Sequence, residues 1–105
     1  MTYKAVFDAL ADDTRREIFE ALRERPKSVG ELASEQPVSR PAVSQHLKVL
    51  QKAKLVSVHP EGTRRIYSIN RDGLLALRHY IDDYWSDVLI ACQAYVSKPA
   101  GDNDA

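Results

Sequence analysis

Between Ser28 and Ile69 the hydrophobic rhythm of the chain changes from helical to extended, and few folds accommodate the order in which it does so. Ser28-Val29-Gly30-Glu31 has the form of a capping box, in which a hydroxyl and a carboxylate satisfy each other's exposed backbone amides at a helix start. The short helix that follows reaches about Glu35, where Gln36-Pro37-Val38 breaks it. Ser39, with Pro41 just after it, marks the N-cap and first turn of another helix, read here from Arg40 to Ala53. The period then drops to 2. Leu55 to His59 and Arg65 to Ile69 are rich in β-branched and aromatic residues and flank Pro60-Glu61-Gly62-Thr63, so they read as a β-hairpin.

Helices are expected on both sides of this block. Val6, Phe7 and Leu10 fall at helical spacing, and Asp12, Asp13 and Thr14 offer caps for a second helix that carries Ile18, Phe19 and Leu22 inward and ends before Pro26. After the hairpin, Asn70 or Asp72 caps a long last helix. It has one stripe through Leu74, Leu77, Ile81, Tyr84 and Val88, and a neighbouring one through Trp85, Leu89 and Cys92. Two stripes imply two surfaces to cover, and 105 residues make a single domain of modest core. The expected class is mainly α with a β-hairpin: one domain over residues 1–96, with a flexible polar tail at 97–105.

Bulk properties narrow the function. Hydrophobic residues at 44 % and charged residues at 29 % exclude a disordered chain. No apolar run approaches the roughly 20 residues of a membrane span, and the first residues lack a basic segment leading into an apolar core, so a cytoplasmic location without membrane contact is expected. The lone Cys92 has no partner for an internal disulfide. Ser44, His46 and Asp72 include the residue types of a catalytic triad, but no nucleophile elbow or phosphate-cradling glycine loop accompanies them, so no enzyme is expected.

The net charge is zero but unevenly spread. Residues 1–36 hold six basic and eight acidic side chains, residues 37–65 six and one, and residues 66–105 three and six. The basic block coincides with two short helices joined by a tight turn, the layout of a helix-turn-helix whose second member enters the major groove. With Val43 taken as inward and about 100° per residue, Leu47 and Leu50 lie within about 40° of it. Pro41, Ser44, Gln45, Lys48 and Lys52 point away, and Arg40 at the helix start is read with them. Gln reads adenine edges, Arg pairs with guanine or phosphate, and Ser and Lys suit phosphate oxygens. Ser39 at the cap, together with Arg64 and Arg65 beside the hairpin turn, completes a candidate DNA surface. His46 lies about 60° from the core direction and is read as a partly buried packing residue.

The stretch from Phe7 to about Tyr95 resembles the ArsR family of winged-helix repressors. The matching residues are Ala9-Leu10-Ala11-Asp12-Asp13-Thr14-Arg15-Arg16 with Ile18, then Pro41-Ala42-Val43-Ser44-Gln45-His46-Leu47-Lys48-Val49-Leu50, then Arg64-Arg65-Ile66-Tyr67. The resemblance implies a winged helix-turn-helix, a homodimer held by long first and last helices, a palindromic operator, and repression relieved by a signal. For that dimer the expected contacts are Val6 and Phe7 in the first helix, with Ile81, Tyr84, Trp85, Val88, Leu89 and Cys92 in the last.

Departures from the family pattern point to its metal-free branch. Where metal sensors open the third helix with a Cys-x-Cys pair, Ser28 and Gly30 stand here, and neither ligates a soft metal. On the last helix only His79, Asp82, Asp83 and Asp87 are available for a second site, and they read as solvated side chains. No cofactor or metal is expected. Lys54 replaces a glycine that usually closes the recognition helix, which implies either an exit outside the left-handed region or strain there. The alternatives are a metal- or thiol-responsive sensor of the same fold and a winged helix used only for protein assembly. The basic block speaks against the second.

Overall fold

The computed structural model describes residues 3–96. Its elements are α1 (Tyr3–Ala11), α2 (Asp13–Ala21), β1 (Lys27–Ser28), α3 (Val29–Glu35), α4 (Arg40–Lys52), β2 (Val56–Glu61), β3 (Arg64–Ile69) and α5 (Arg71–Val96). The expected tail at 97–105 lies outside the described residues.

The helix ends follow from local chemistry. Asp12 accepts from Arg15 N at 2.9 Å and so opens α2. Two arginines of α2 turn back on α1: Arg15 Nε donates to the Ala9 carbonyl at 2.6 Å, and Arg16 Nη1 donates to the Leu10 carbonyl at 2.8 Å. They satisfy carbonyls that the end of α1 leaves open and place positive charge at its negative pole. This junction ends α1 at Ala11; among the described residues α1 has nine residues against 26 in the last helix, so the expectation of a long first helix is corrected.

Ser28 and Glu31 form the anticipated capping box, and Ser39 caps α4 with Pro41 in its first turn. The helix α4 ends one residue before the expected boundary, with Ala53 as its cap. Lys54 N donates to the Gln51 carbonyl at 3.0 Å and Leu55 N to the Leu50 carbonyl at 2.9 Å, the paired bonds of a Schellman ending. Lys54 adopts φ 60°, so the exit is left-handed and a lysine occupies a conformation that favours glycine.

Strand β1 is not among the elements expected from the sequence. It pairs antiparallel with β3, Lys27 opposite Tyr67 and Ser28 opposite Ile66, so the hairpin becomes a three-stranded sheet in the order β1-β3-β2. Lys27 is buried along its whole side chain, and its ammonium is paired with Glu35 at 2.9 Å and Glu24 at 3.0 Å.

The core gathers Ile18, Leu32, Val43, Leu47, Leu50 and Leu55, all fully buried. Full burial of such side chains is worth about 1.5 to 3 kcal/mol each, and three of these residues fix the inward face of α4. Val6 joins this core with no exposure at all. Its expected place in a dimer interface is therefore corrected: on α1 it turns inward, while its neighbour Phe7 turns out. The chain enters α5 across the end of α4. Asn70 N donates to the Leu55 carbonyl at 2.9 Å and Gly73 N to the Lys54 carbonyl at 2.8 Å. A Cβ on Gly73 would stand 2.7 Å from the Lys54 carbonyl oxygen and 2.8 Å from that of Ala53, so only glycine permits the approach.

Candidate nucleic-acid interface

Residues 36–39 join α3 to α4, and the buried stripe of α4 leaves the opposite face to solvent. Arg40, Pro41, Gln45, Lys48 and Lys52 are exposed there, Ser44 is half-buried, and Ser39 is exposed with its hydroxyl accepting from Ala42 N at 3.3 Å. Val49, which is not among the expected contacts, is 39 % exposed on the same side. It lines a shallow cleft of about 400 Å³ with Gln45, Lys48, Gln51 and Lys52. The rotation that sets Val43 inward puts Val49 about 120° away, so the signal is present in the helical period. An apolar side chain among hydrogen-bonding ones suits a thymine methyl group. His46 is half-buried, and Arg15 Nη1 donates to its Nδ1 at 3.4 Å. It thus faces α2.

The hairpin turns at Gly62, whose φ of 67° is the left-handed conformation the turn requires. Arg64 lies opposite Glu61 and Arg65 opposite Pro60, both arginines exposed beside the turn. Pairing of β1 with β3 carries this wing to the first turn of α3, and Arg40 closes the gap from α4. The result is a cleft of about 570 Å³ whose lining includes Gly30, Glu31, Arg40, Arg64 and Arg65. Arg40 lies directly over Gly30: a Cβ there would meet Arg40 Nη2 at 2.5 Å. Recognition helix and wing therefore converge on one site.

A single carboxylate controls the charge in this cleft. Glu31 Oε2 pairs with Arg25 Nη2 at 2.9 Å, while Oε1 accepts from Ser28 N at 3.0 Å and from Arg64 Nη2 at 3.4 Å. The Arg25 guanidinium first, and the Ser28 amide second, hold its carboxyl down at about 2. The sequence pattern marks Glu31 only as a cap. Its pairing with Arg64 depends on strand register, for which the sequence carries no local signal.

The positions of the family's thiol pair are otherwise engaged. The Ser28 hydroxyl accepts from Glu31 N at 3.2 Å, and the space over Gly30 belongs to Arg40. His79, Asp82, Asp83 and Asp87 are all exposed, and among the described residues no group of three or more His, Cys, Asp or Glu side chains is arranged to hold a metal ion.

A second surface lies on α1 and α5. Phe7, Ile81, Tyr84, Trp85, Leu89 and Cys92 are exposed and Val88 is half-buried. Tyr3 and Tyr80 stack at 4.3 Å between ring centroids, Phe7 meets Tyr80 edge-on at 5.4 Å, and Tyr80 stacks parallel to Tyr84 at 6.4 Å. The helix α5 packs along α1 and then continues outward, so from Arg78 to Tyr95 only Val88 is less than exposed. Among the described residues no helix is long and apolar enough to cross a membrane.

A polar, basic α4 set on a tight turn, with a basic hairpin beside it, defines a winged helix-turn-helix transcriptional regulator. Residues 10–59 match the helix-turn-helix domain family model. The chain is 54 % identical over 91 residues to the HTH-type transcriptional regulator Rv2034 of Mycobacterium tuberculosis, covering 84 % of this chain and 85 % of that protein. It is 37 % identical over 65 residues to the transcriptional repressor SdpR of Bacillus subtilis, covering 62 % of this chain and 72 % of that one. The homodimeric winged helix-turn-helix DNA-binding domain of Mb0332 from Mycobacterium bovis, a possible ArsR-family regulator, superposes with a TM-score of 0.64. It is 30 % identical, and the match covers 76 % of this chain and 77 % of that one. The chain belongs to the ArsR family of transcriptional regulators.

Proposed function

We propose that this chain is a repressor that binds a palindromic operator as a homodimer and acts in the cytoplasm, where its DNA lies. The observation that carries the reading is the pairing of two surfaces on one chain: a basic, polar α4 face beside the wing arginines, and an apolar α1–α5 face left open to solvent. Burial of the second against its own copy sets two α4 helices about 34 to 36 Å apart, one turn of DNA, and yields about 25 cal/mol for each Å² of apolar area. Phe7, Ile81, Tyr84, Trp85, Val88, Leu89 and Cys92 supply that contact. Mb0332, as a homodimer, and SdpR, as a repressor, support the reading.

In the DNA complex Ser39, Pro41 and Ser44 bring the start of α4 against the backbone, Arg40 and Gln45 reach base edges, and Lys48, Arg64 and Arg65 contact phosphates. Occupying a promoter in this way excludes polymerase without chemistry, so no cofactor or catalytic residue is required. The test is a gel shift on the DNA upstream of its own gene, over a salt series. Gln45→Ala should cost about 1 to 3 kcal/mol on the specific site alone. Arg64→Ala with Arg65→Ala should flatten the log-log salt dependence by about one unit for each phosphate left without its arginine. Undiminished binding by the double variant at moderate salt removes the wing from the interface. A monomer at micromolar concentration in sedimentation that still binds a full palindrome tightly refutes the dimer.

A further inference from the structure

We infer that Glu31 restrains the DNA reader by holding the wing's Arg64 against the first turn of α3, so that the arginine must leave the carboxylate before it reaches phosphate. The inference rests on the DNA-binding reading above and adds to it a residue outside the expected contact surface.

The geometry makes the carboxylate fixed and the arginine releasable. Glu31 is held by two short contacts, Arg25 Nη2 at 2.9 Å on Oε2 and Ser28 N at 3.0 Å on Oε1. Arg64 shares Oε1 at 3.4 Å, the longest of the three, and its side chain is 58 % exposed. An exposed ion pair of this kind biases an equilibrium by no more than about fivefold, the same order as a single phosphate contact on a weakly held duplex. On random DNA, whose backbone is not held beside the wing, Arg64 remains with Glu31. On a site where α4 makes base contacts the backbone is held beside the wing, its effective concentration there rises, and Arg64 transfers to phosphate. Arg65, in the same cleft, draws the backbone toward the same place.

The capping role and the charge of Glu31 separate cleanly. Glutamine serves the third position of a capping box as glutamate does, because its amide oxygen still accepts from the Ser28 amide. Glu31→Gln therefore keeps the helix start and removes the negative charge, with the ion pairs to both Arg25 and Arg64, which the Arg64→Ala background separates.

Wild type, Glu31→Gln, Arg64→Ala and the double variant are to be titrated against a random-sequence duplex and against the duplex that wild type selects from a random library, each over a salt series. Glu31→Gln should bind the random duplex up to about fivefold more tightly, with a log-log salt slope steeper by about 0.9, one added phosphate contact. The selected duplex, in whose wild-type complex the ion pair is already broken, should also be bound more tightly, by up to about fivefold, but with an unchanged slope. In the Arg64→Ala background both gains should vanish. A merely structural role for Glu31 leaves the salt slope unmoved.

In wild type, which needs no variant to fold, the Arg64 Nε–Hε NMR resonance should stay in place with random DNA and shift with the selected duplex. An unchanged slope and affinity for Glu31→Gln overturns the inference, as does an equal gain with and without Arg64, or an Arg64 resonance that shifts alike on both duplexes. Wild type that binds neither duplex overturns the DNA-binding reading itself.

Discussion

The helices α4 and α5 are both amphipathic, yet they leave opposite kinds of surface in water. In α4 the apolar residues Val43, Leu47 and Leu50 are wholly buried, and the exposed face is almost entirely polar. In α5 the exposed residues include Tyr84, Trp85, Leu89 and Ile90, the last 65 % exposed. One helix completes its packing within the chain, and the other does not. The difference separates what a single copy accomplishes, a finished reading head, from what needs a second surface.

The most severe way to break this contrast is to put charge on the unfinished side. Trp85→Glu or Leu89→Glu should abolish dimerisation and operator binding although neither residue lies in the reading face, and thermal stability should lose its dependence on protein concentration. Operator binding at wild-type strength by either variant removes the asymmetry. Next in size is Gly73→Ala, at the junction of the two helices. The added methyl meets the Lys54 and Ala53 carbonyls, and overpacking of this kind costs about 1 to 3 kcal/mol, readable as a lower urea midpoint.

A smaller effect of opposite sign is expected on the other side of the same contact. Lys54→Gly relieves a left-handed lysine while adding backbone freedom to the unfolded chain, for a net gain of about 0.5 to 1 kcal/mol. A loss of stability on that change would mean that the Lys54 side chain contributes more than its backbone costs.

The smallest effect lies within the reading head. The Glu31 carboxyl titrates at about 2 in the folded chain against an ordinary 4.5, so its stabilisation is complete above 4.5 and disappears as the pH falls toward 2. Melting temperature across that range should fall less steeply in Glu31→Gln than in wild type. Parallel curves would show that the carboxylate has no net pairing in the folded state.

The reading head is more legible in the sequence than its surroundings because caps and periods are local. Ser28, Glu31, Ser39 and Pro41 announce α3 and α4, and the rotation from Val43 orients α4 correctly. What escapes depends on distant partners. A two-residue β1 has no period to detect, and Lys27 belongs to a type seldom buried, so neither announces itself. Val6 and Phe7 are adjacent on α1 with similar chemistry, and only the packing of α1 against its neighbours decides which turns inward. The pairing of Glu31 with Arg64 spans 33 positions and follows from the β1–β3 register.

The contact of Gly73 with the end of α4 also has a mechanical consequence. The 26 residues of α5 extend about 39 Å from near that point, so the helix is a lever with its pivot at the exit of the recognition helix. Tilting it by about 5° displaces the far end by roughly 3.4 Å, and the reverse also holds. In the proposed dimer, packing shifts of a few ångströms around Leu89 and Cys92 would become small rotations of α4 relative to its copy. The register of the two α4 helices in that proposed dimer would thereby be governed from the far end of α5.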